Sequence, residues 1–174
     1  SSSSAASDVY KRQAVRWCRI TQDADIISLS LGTNPGSGMT EQSQTARAVE
    51  EALEAGIFVV AAAGNREPDE MLSDVSVPAN VGGVIAVGSI TRSGGVWSQS
   101  ATGSDVDPYT QQNRTYPDQK PEVSAPGVLL LSTAGSTLEP PYAYSSGTSD
   151  STVFVTGALA DILEEYGDAI AGED

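Results

Sequence analysis

The stretch that most constrains the fold is Ile57-Phe58-Val59-Val60-Ala61-Ala62-Ala63, an unbroken apolar run stopped by Gly64-Asn65. A run so short and so apolar belongs to a strand covered on both faces, because a half-exposed strand would alternate. Two similar runs accompany it: Ile26-Ile27-Ser28-Leu29-Ser30-Leu31 and Val84-Ile85-Ala86-Val87-Gly88-Ser89. Between the first two, Thr40 and Glu41 open a helical pattern over residues 40–55. It sets Ala46, Val49, Ala52 and Leu53 on one face and stops at Gly56. Residues 14–21 have helical spacing as well (Val15, Trp17, Cys18). Strands alternating with helices over short loops predict an α/β fold of three layers, a mainly parallel sheet with helices on both faces.

In sheets of this kind, functional groups collect at the carboxyl ends of the strands. Ser30-Leu31-Gly32 and Gly64-Asn65 both fall there, so the sheet should bring them to one edge. Residues 66–77 read as loop, and residues 91–116 as turns with a short strand expected over 96–99. Extended segments are expected over 122–127 and 128–132. A Pro/Tyr/Ser/Gly-rich loop over 139–147 leads into an apolar helical pattern that runs from Ser149 to about Tyr166. Residues 1–13 are serine-rich without amphipathic period and read as a non-native or disordered tail, which leaves residues 14–174 as one partial domain.

Composition removes several functions. With 23 acidic against 9 basic residues and a net charge of −14, the chain offers no basic patch for phosphates, so no nucleic-acid partner is expected. Such acidity resembles that of proteins from high-salt organisms. No apolar run is long enough for a membrane span, and the N-terminal residues lack the apolar core of a signal peptide. The single cysteine, Cys18, excludes an internal disulfide and reads as packing. The loop over residues 32–40 has Thr33 and Met39 where a phosphate-binding loop needs Gly and Lys, and no dinucleotide fingerprint follows a strand. Asp105 with Asp107, or Glu67 with Asp69 and Glu70, have the oxygen chemistry for calcium. In so acidic a chain, solvated loop explains them; no cofactor is required, and a structural calcium cannot be read from the residues. The chain contains no histidine, hence no imidazole for a relay or a metal.

Serine chemistry survives this sorting. Ser149 stands in the first turn of an apolar helix, where free N–H groups and the helix dipole favour developing negative charge. Asn65 follows a buried strand and carries an amide donor. A nucleophile with an oxyanion donor is one reading of the pair; a helix cap and a turn residue are the other.

Five blocks, in order, carry a family likeness: residues 25–32, residues 55–65 ending in Ala62-Ala63-Gly64-Asn65, Val77-Pro78-Ala79-Asn80 with residues 84–88, residues 120–127, and Ser146-Gly147-Thr148-Ser149. Over residues 14–167 the chain resembles the subtilisin-like serine proteases (subtilases, peptidase family S8). The resemblance implies an N-terminally truncated piece of a secreted, extracellular serine endopeptidase, monomeric and acting on polypeptides. It implies Ser149 as nucleophile and Asn65 as oxyanion-hole donor. Ser30-Leu31-Gly32 and Ala62-Ala63-Gly64 would pair with an extended peptide and wall its main specificity pocket. Two departures stand out. Asp150-Ser151-Thr152-Val153-Phe154 replaces the family's usual Met-Ala-Thr/Ser-Pro-His after the nucleophile, and the catalytic Asp and His belong to segments upstream of the first block. A non-catalytic peptide-binding or structural module on the same fold is the alternative.

Overall fold

The computed structural model describes residues 2–33, 43–66, 74–107, 110–135 and 140–171. Its central sheet has the order β1 (Ile26–Leu29), β2 (Phe58–Ala62), β3 (Ile85–Ile90) and β4 (Val123–Pro126). All neighbours run parallel, with Ile27 beside Val59, Val60 beside Ile85 and Val87 beside Val123. The pleat sends alternate residues to opposite faces. Ile27, Leu29, Val59, Ala61 and Ala86 join Val15 of α1 (Ser2–Ile20) and Ala46, Val49 and Ala52 of α2 (Gln44–Glu54) in one buried cluster. Val60 and Val87 turn the other way and meet Val155 and Leu159 of α3 (Thr148–Ala171). Helices thus cover both faces of a parallel sheet, the expected three-layer α/β arrangement.

Four expectations need correction. The first is the tail over residues 1–13, which is helical from Ser2 onward: α1 runs unbroken from Ser2 to Ile20. Asp8 is buried there as an acceptor for the N-terminus of α2, taking the Gln44 N–H at 2.7 Å and the Thr45 N–H at 3.1 Å. A carboxylate on these free N–H groups also complements the helix dipole. Trp17, expected on the packed side of this helix, is exposed. The second correction is the start of α2, capped by Ser43, whose Oγ accepts the Ala46 N–H at 3.0 Å; residues 40–42 lie outside the described residues.

Third, the stretch over 139–147 contains β6 (Tyr142–Ser145), antiparallel to β5 (Leu130–Thr133). Prolines 140 and 141 mask a Tyr-Ala-Tyr segment whose aromatic residues favour extended backbone. Fourth, the strand expected over 96–99 reduces to a single bridge between Ile90 and Val96. At the C-terminal end, α3 continues past Tyr166 to Ala171.

The long β3–β4 connection is fastened by ions. Arg114 makes a two-pronged pair with Asp74 at 2.7 and 2.8 Å, both side chains nearly buried. Lys120 Nζ donates to the Val84 carbonyl at 2.7 Å and pairs with Glu122, whose other oxygen accepts the Ala86 N–H at 2.8 Å. Burial lowers the Lys120 pKa from its ordinary value, with the Glu122 hydrogen bond opposing it.

Candidate active site

Helix α3 begins flush against the end of β4. The Gly147 N–H donates to the Gly127 carbonyl at 2.8 Å, and Ser151 Oγ donates to the Ala125 carbonyl at 2.9 Å. A Cβ on Gly127 would collide with Ser151 Oγ and Ser89 Oγ, so only glycine allows this approach. The buried Thr148 then faces Asn65, which follows β2 after Gly64 at φ +110°. Thr148 donates twice to Asn65 Oδ1, from its N–H and from Oγ1, each at 3.0 Å. Its Oγ1 also accepts the Gly64 N–H at 3.1 Å.

With Oδ1 held by two donors, the amide nitrogen of Asn65 points toward Gly147. A Cβ placed on Gly147 would lie 3.3 Å from Asn65 Nδ2 and 3.7 Å from the Ser149 nitrogen. As the second residue of α3, Ser149 has no intrahelical acceptor for its N–H. The space that glycine leaves open therefore faces two donors and the positive end of a long helix, together with the carboxylate oxygen Oδ2 of Asp150, 3.6 Å from that Cβ. That is an arrangement able to hold an oxyanion.

Ser149 is half-buried and rests against the end of β1. Its Oγ donates to the Ser30 carbonyl at 3.3 Å, and Ser30 Oγ donates back to the Ser149 carbonyl at 3.0 Å. A carbonyl oxygen orients a hydroxyl but does not take its proton. Beside Ser149, the half-buried Asp150 accepts a hydrogen bond from Ser145 Oγ at 2.9 Å.

Ser30, Leu31, Gly32, Ala62, Gly64, Asn65 and Ser149 line one cavity of about 470 Å³. Ala63 does not, which corrects the sequence reading. Its side chain is fully buried in the cluster beneath α2, its N–H donates to the Val87 carbonyl at 3.0 Å, and its carbonyl accepts from Ser76 at 2.7 Å. Gly64 is similarly engaged, through Thr148 Oγ1 and the Ala101 N–H. The segment 62–64 thus forms a wall with its polar groups largely occupied. Ser30-Leu31-Gly32 continues β1, an edge strand of the described sheet.

Thr33, Ser76 and Thr148 also line the cavity and escaped the sequence reading. Thr148 sits inside the Gly-Thr-Ser block, but its orienting role exists only once α3 docks over β2. Ser76 fits between Gly32 and Gly64, where a Cβ on either glycine would meet it, and nothing local in the sequence marks it. Among the described residues no three His, Cys, Asp or Glu side chains gather for a metal, and Glu67, Asp69 and Glu70 lie outside them. No helix of the described residues is long and apolar enough to cross a membrane.

Residues 1–173 match the model of the subtilase family, Peptidase S8. Subtilisin E of Bacillus subtilis is 35% identical over 153 residues, which is 87% of this chain and 34% of subtilisin E. The major intracellular serine protease of the same organism is 33% identical over 84% of this chain and 39% of its own length. Among solved structures, the prenylagaramide maturation protease PagA aligns with a TM-score of 0.70 at 23% identity, covering 93% of this chain and 51% of that one. The self-cleaved protease domain of PatA aligns at 0.68 with 27% identity, over 91% and 52%. The chain therefore spans between about a third and a half of the length of the curated relatives and about half that of the structures.

Proposed function

We propose, on the premise that this chain belongs to the subtilase family, that it carries the nucleophile and oxyanion side of a serine endopeptidase site. The observation that carries the reading is the open space at Gly147, where an added Cβ would lie 3.3 Å from Asn65 Nδ2 and 3.7 Å from the Ser149 nitrogen, with Asp150 Oδ2 at 3.6 Å. In the reaction, Ser149 Oγ adds to the carbonyl carbon of a peptide bond and the carbonyl oxygen becomes an oxyanion held by the two N–H groups. The C–N bond then breaks, the amine leaves with a proton, and water hydrolyses the Ser149 ester. The serine proton goes to a base, and these 174 residues contain no histidine to be that base. The base and its orienting carboxylate come from residues outside this sequence.

The test is a fluorophosphonate probe on the full-length protein, followed by mapping of the adduct. Modification of Ser149, abolished by Ser149→Ala, is the expected result. An intact protein that leaves Ser149 unmodified overturns the reading and favours the peptide-binding module, which would use the same groove without chemistry. An extracellular, monomeric enzyme acting on polypeptides belongs to the same proposal. One relative is named as intracellular, so fractionating culture medium from cells decides the location.

A further inference from the structure

Asp150 follows Ser149 directly, yet acyl transfer assigns no task to a carboxylate there. It is absent from the cavity that Ser30, Leu31, Gly32, Ala62 and Gly64 form with Ser149. Among the described residues its side-chain hydrogen-bond partner is Ser145 Oγ, at the end of β6. The position of a Cβ on Gly147, close to Asn65 Nδ2, lies 3.6 Å from Asp150 Oδ2. The carboxylate thus stands next to the oxyanion donors and outside the residues that line the cavity.

We propose that, with the acyl side chain in the cavity, the residue after the scissile bond lies beside Asp150 and Ser145, so that Asp150 makes the site select peptides with Lys or Arg there. The proposal rests on the reading of Ser149 as nucleophile and deepens it. An ionised carboxylate has about four acceptor positions, and Ser145 occupies one of them, so an ammonium or guanidinium finds a charged acceptor on arrival. The same carboxylate opposes negative charge developing on the nearby oxyanion, and a cation on the leaving side offsets that repulsion. A Glu or Asp in that place meets a like charge.

The experiment compares two peptides that differ only in the residue after the scissile bond, Arg or Glu. Their binding to the full-length protein carrying Ser149→Ala is measured by fluorescence anisotropy at about 50 mM salt, where exposed charges are weakly screened. The Arg peptide should bind at least about fivefold more tightly, the upper range for a partly exposed ion pair. Asp150→Asn keeps an oxygen for Ser145 and removes the charge, so it should bring the ratio to near one; Asp150→Glu should retain a preference. The same Arg/Glu exchange at a distant peptide position should respond equally in both backgrounds, which separates a local effect from the attraction of a chain with net charge −14. An Arg-over-Glu ratio that Asp150→Asn leaves unchanged overturns the proposal. Fluorophosphonate modification of Ser149 is read separately. Modification without charge selection removes the specificity claim alone, and charge selection without modification removes the nucleophile reading on which the claim rests.

Discussion

Thr148 Oγ1 decides which end of the Asn65 amide faces the open space at Gly147. It donates to Oδ1, as the Thr148 N–H does, so the amide cannot turn over without breaking both bonds. Thr148→Val keeps the shape and removes the hydroxyl. Under the proposed mechanism this substitution in the full-length protein should lower kcat about tenfold with KM little changed, because one hydrogen bond contributes about 1–1.5 kcal/mol and this one would orient the oxyanion donor. A rise in KM at constant kcat would show that the hydroxyl serves substrate binding instead. Asn65→Ala removes the donor itself; a loss of about 10²–10³ in kcat is expected, a magnitude borrowed from the measured loss of such a donor in subtilisin. At this scale the sequence was partly legible. Ser149 and Asn65 stand out because each sits at a junction of glycine and a strong apolar pattern. Thr148 acts through a contact 83 positions away, and no local pattern encodes it.

Elements meet at this site because β4 admits the start of α3. Gly127 is the point of closest approach: an added Cβ meets Ser151 Oγ, Ser89 Oγ and the Gly147 carbonyl together. Gly127→Ala should therefore destabilise the protein by about 1–3 kcal/mol, as crowding of a packed interior does, read as a lower urea midpoint. A neutral result would mean that α3 shifts freely, and fluorophosphonate labelling should then fall. The opposite end of β4 is held by Lys120 and Glu122 against β3. Burial lowers the Lys120 pKa in the folded chain, so the unfolded chain binds the extra proton between that lowered value and the ordinary 10.5. Across this window the wild type should gain stability with rising pH relative to Lys120→Met. Urea unfolding of both proteins from neutral pH toward pH 10 measures the difference; a difference that is flat or falls with pH contradicts an ammonium penalised by burial. The strands themselves were readable because parallel strands covered on both faces are apolar throughout. β6 was not, because the two prolines before it and the serines at its end signal a turn more strongly than its tyrosines signal a strand. The Asp8 contact with α2 was equally hidden, since it joins residues 36 and 37 positions apart.

For the whole molecule, periodicity and five ordered blocks carried the three-layer architecture and the edge at which the site lies. They could not separate Ala63, which is turned into the core, from Ala62 and Gly64 on the cavity wall, because register becomes visible only when the strands pair. Charge acts at this scale too. Lysine and arginine number 9 against 23 acidic residues, so most carboxylates have no cation to pair with and the folded chain concentrates like charge. Screening should relieve that repulsion more in the compact state than in the expanded one, since the mean separation of charges is smaller there. The thermal midpoint should rise by about 2–4 °C, the equivalent of about 1 kcal/mol for a chain of this size, between about 0.05 and 0.5 M NaCl. Most of the gain should arrive at the low end of that range, where the Debye length shortens fastest. Strengthened apolar burial behaves differently: it grows steadily with salt and depends on the anion. Sodium chloride and sodium sulfate compared at equal ionic strength should therefore give the same early rise and diverge only at high concentration. A midpoint that is flat at low salt, or that differs between the anions from the start, would show that self-repulsion does not limit the stability of this chain.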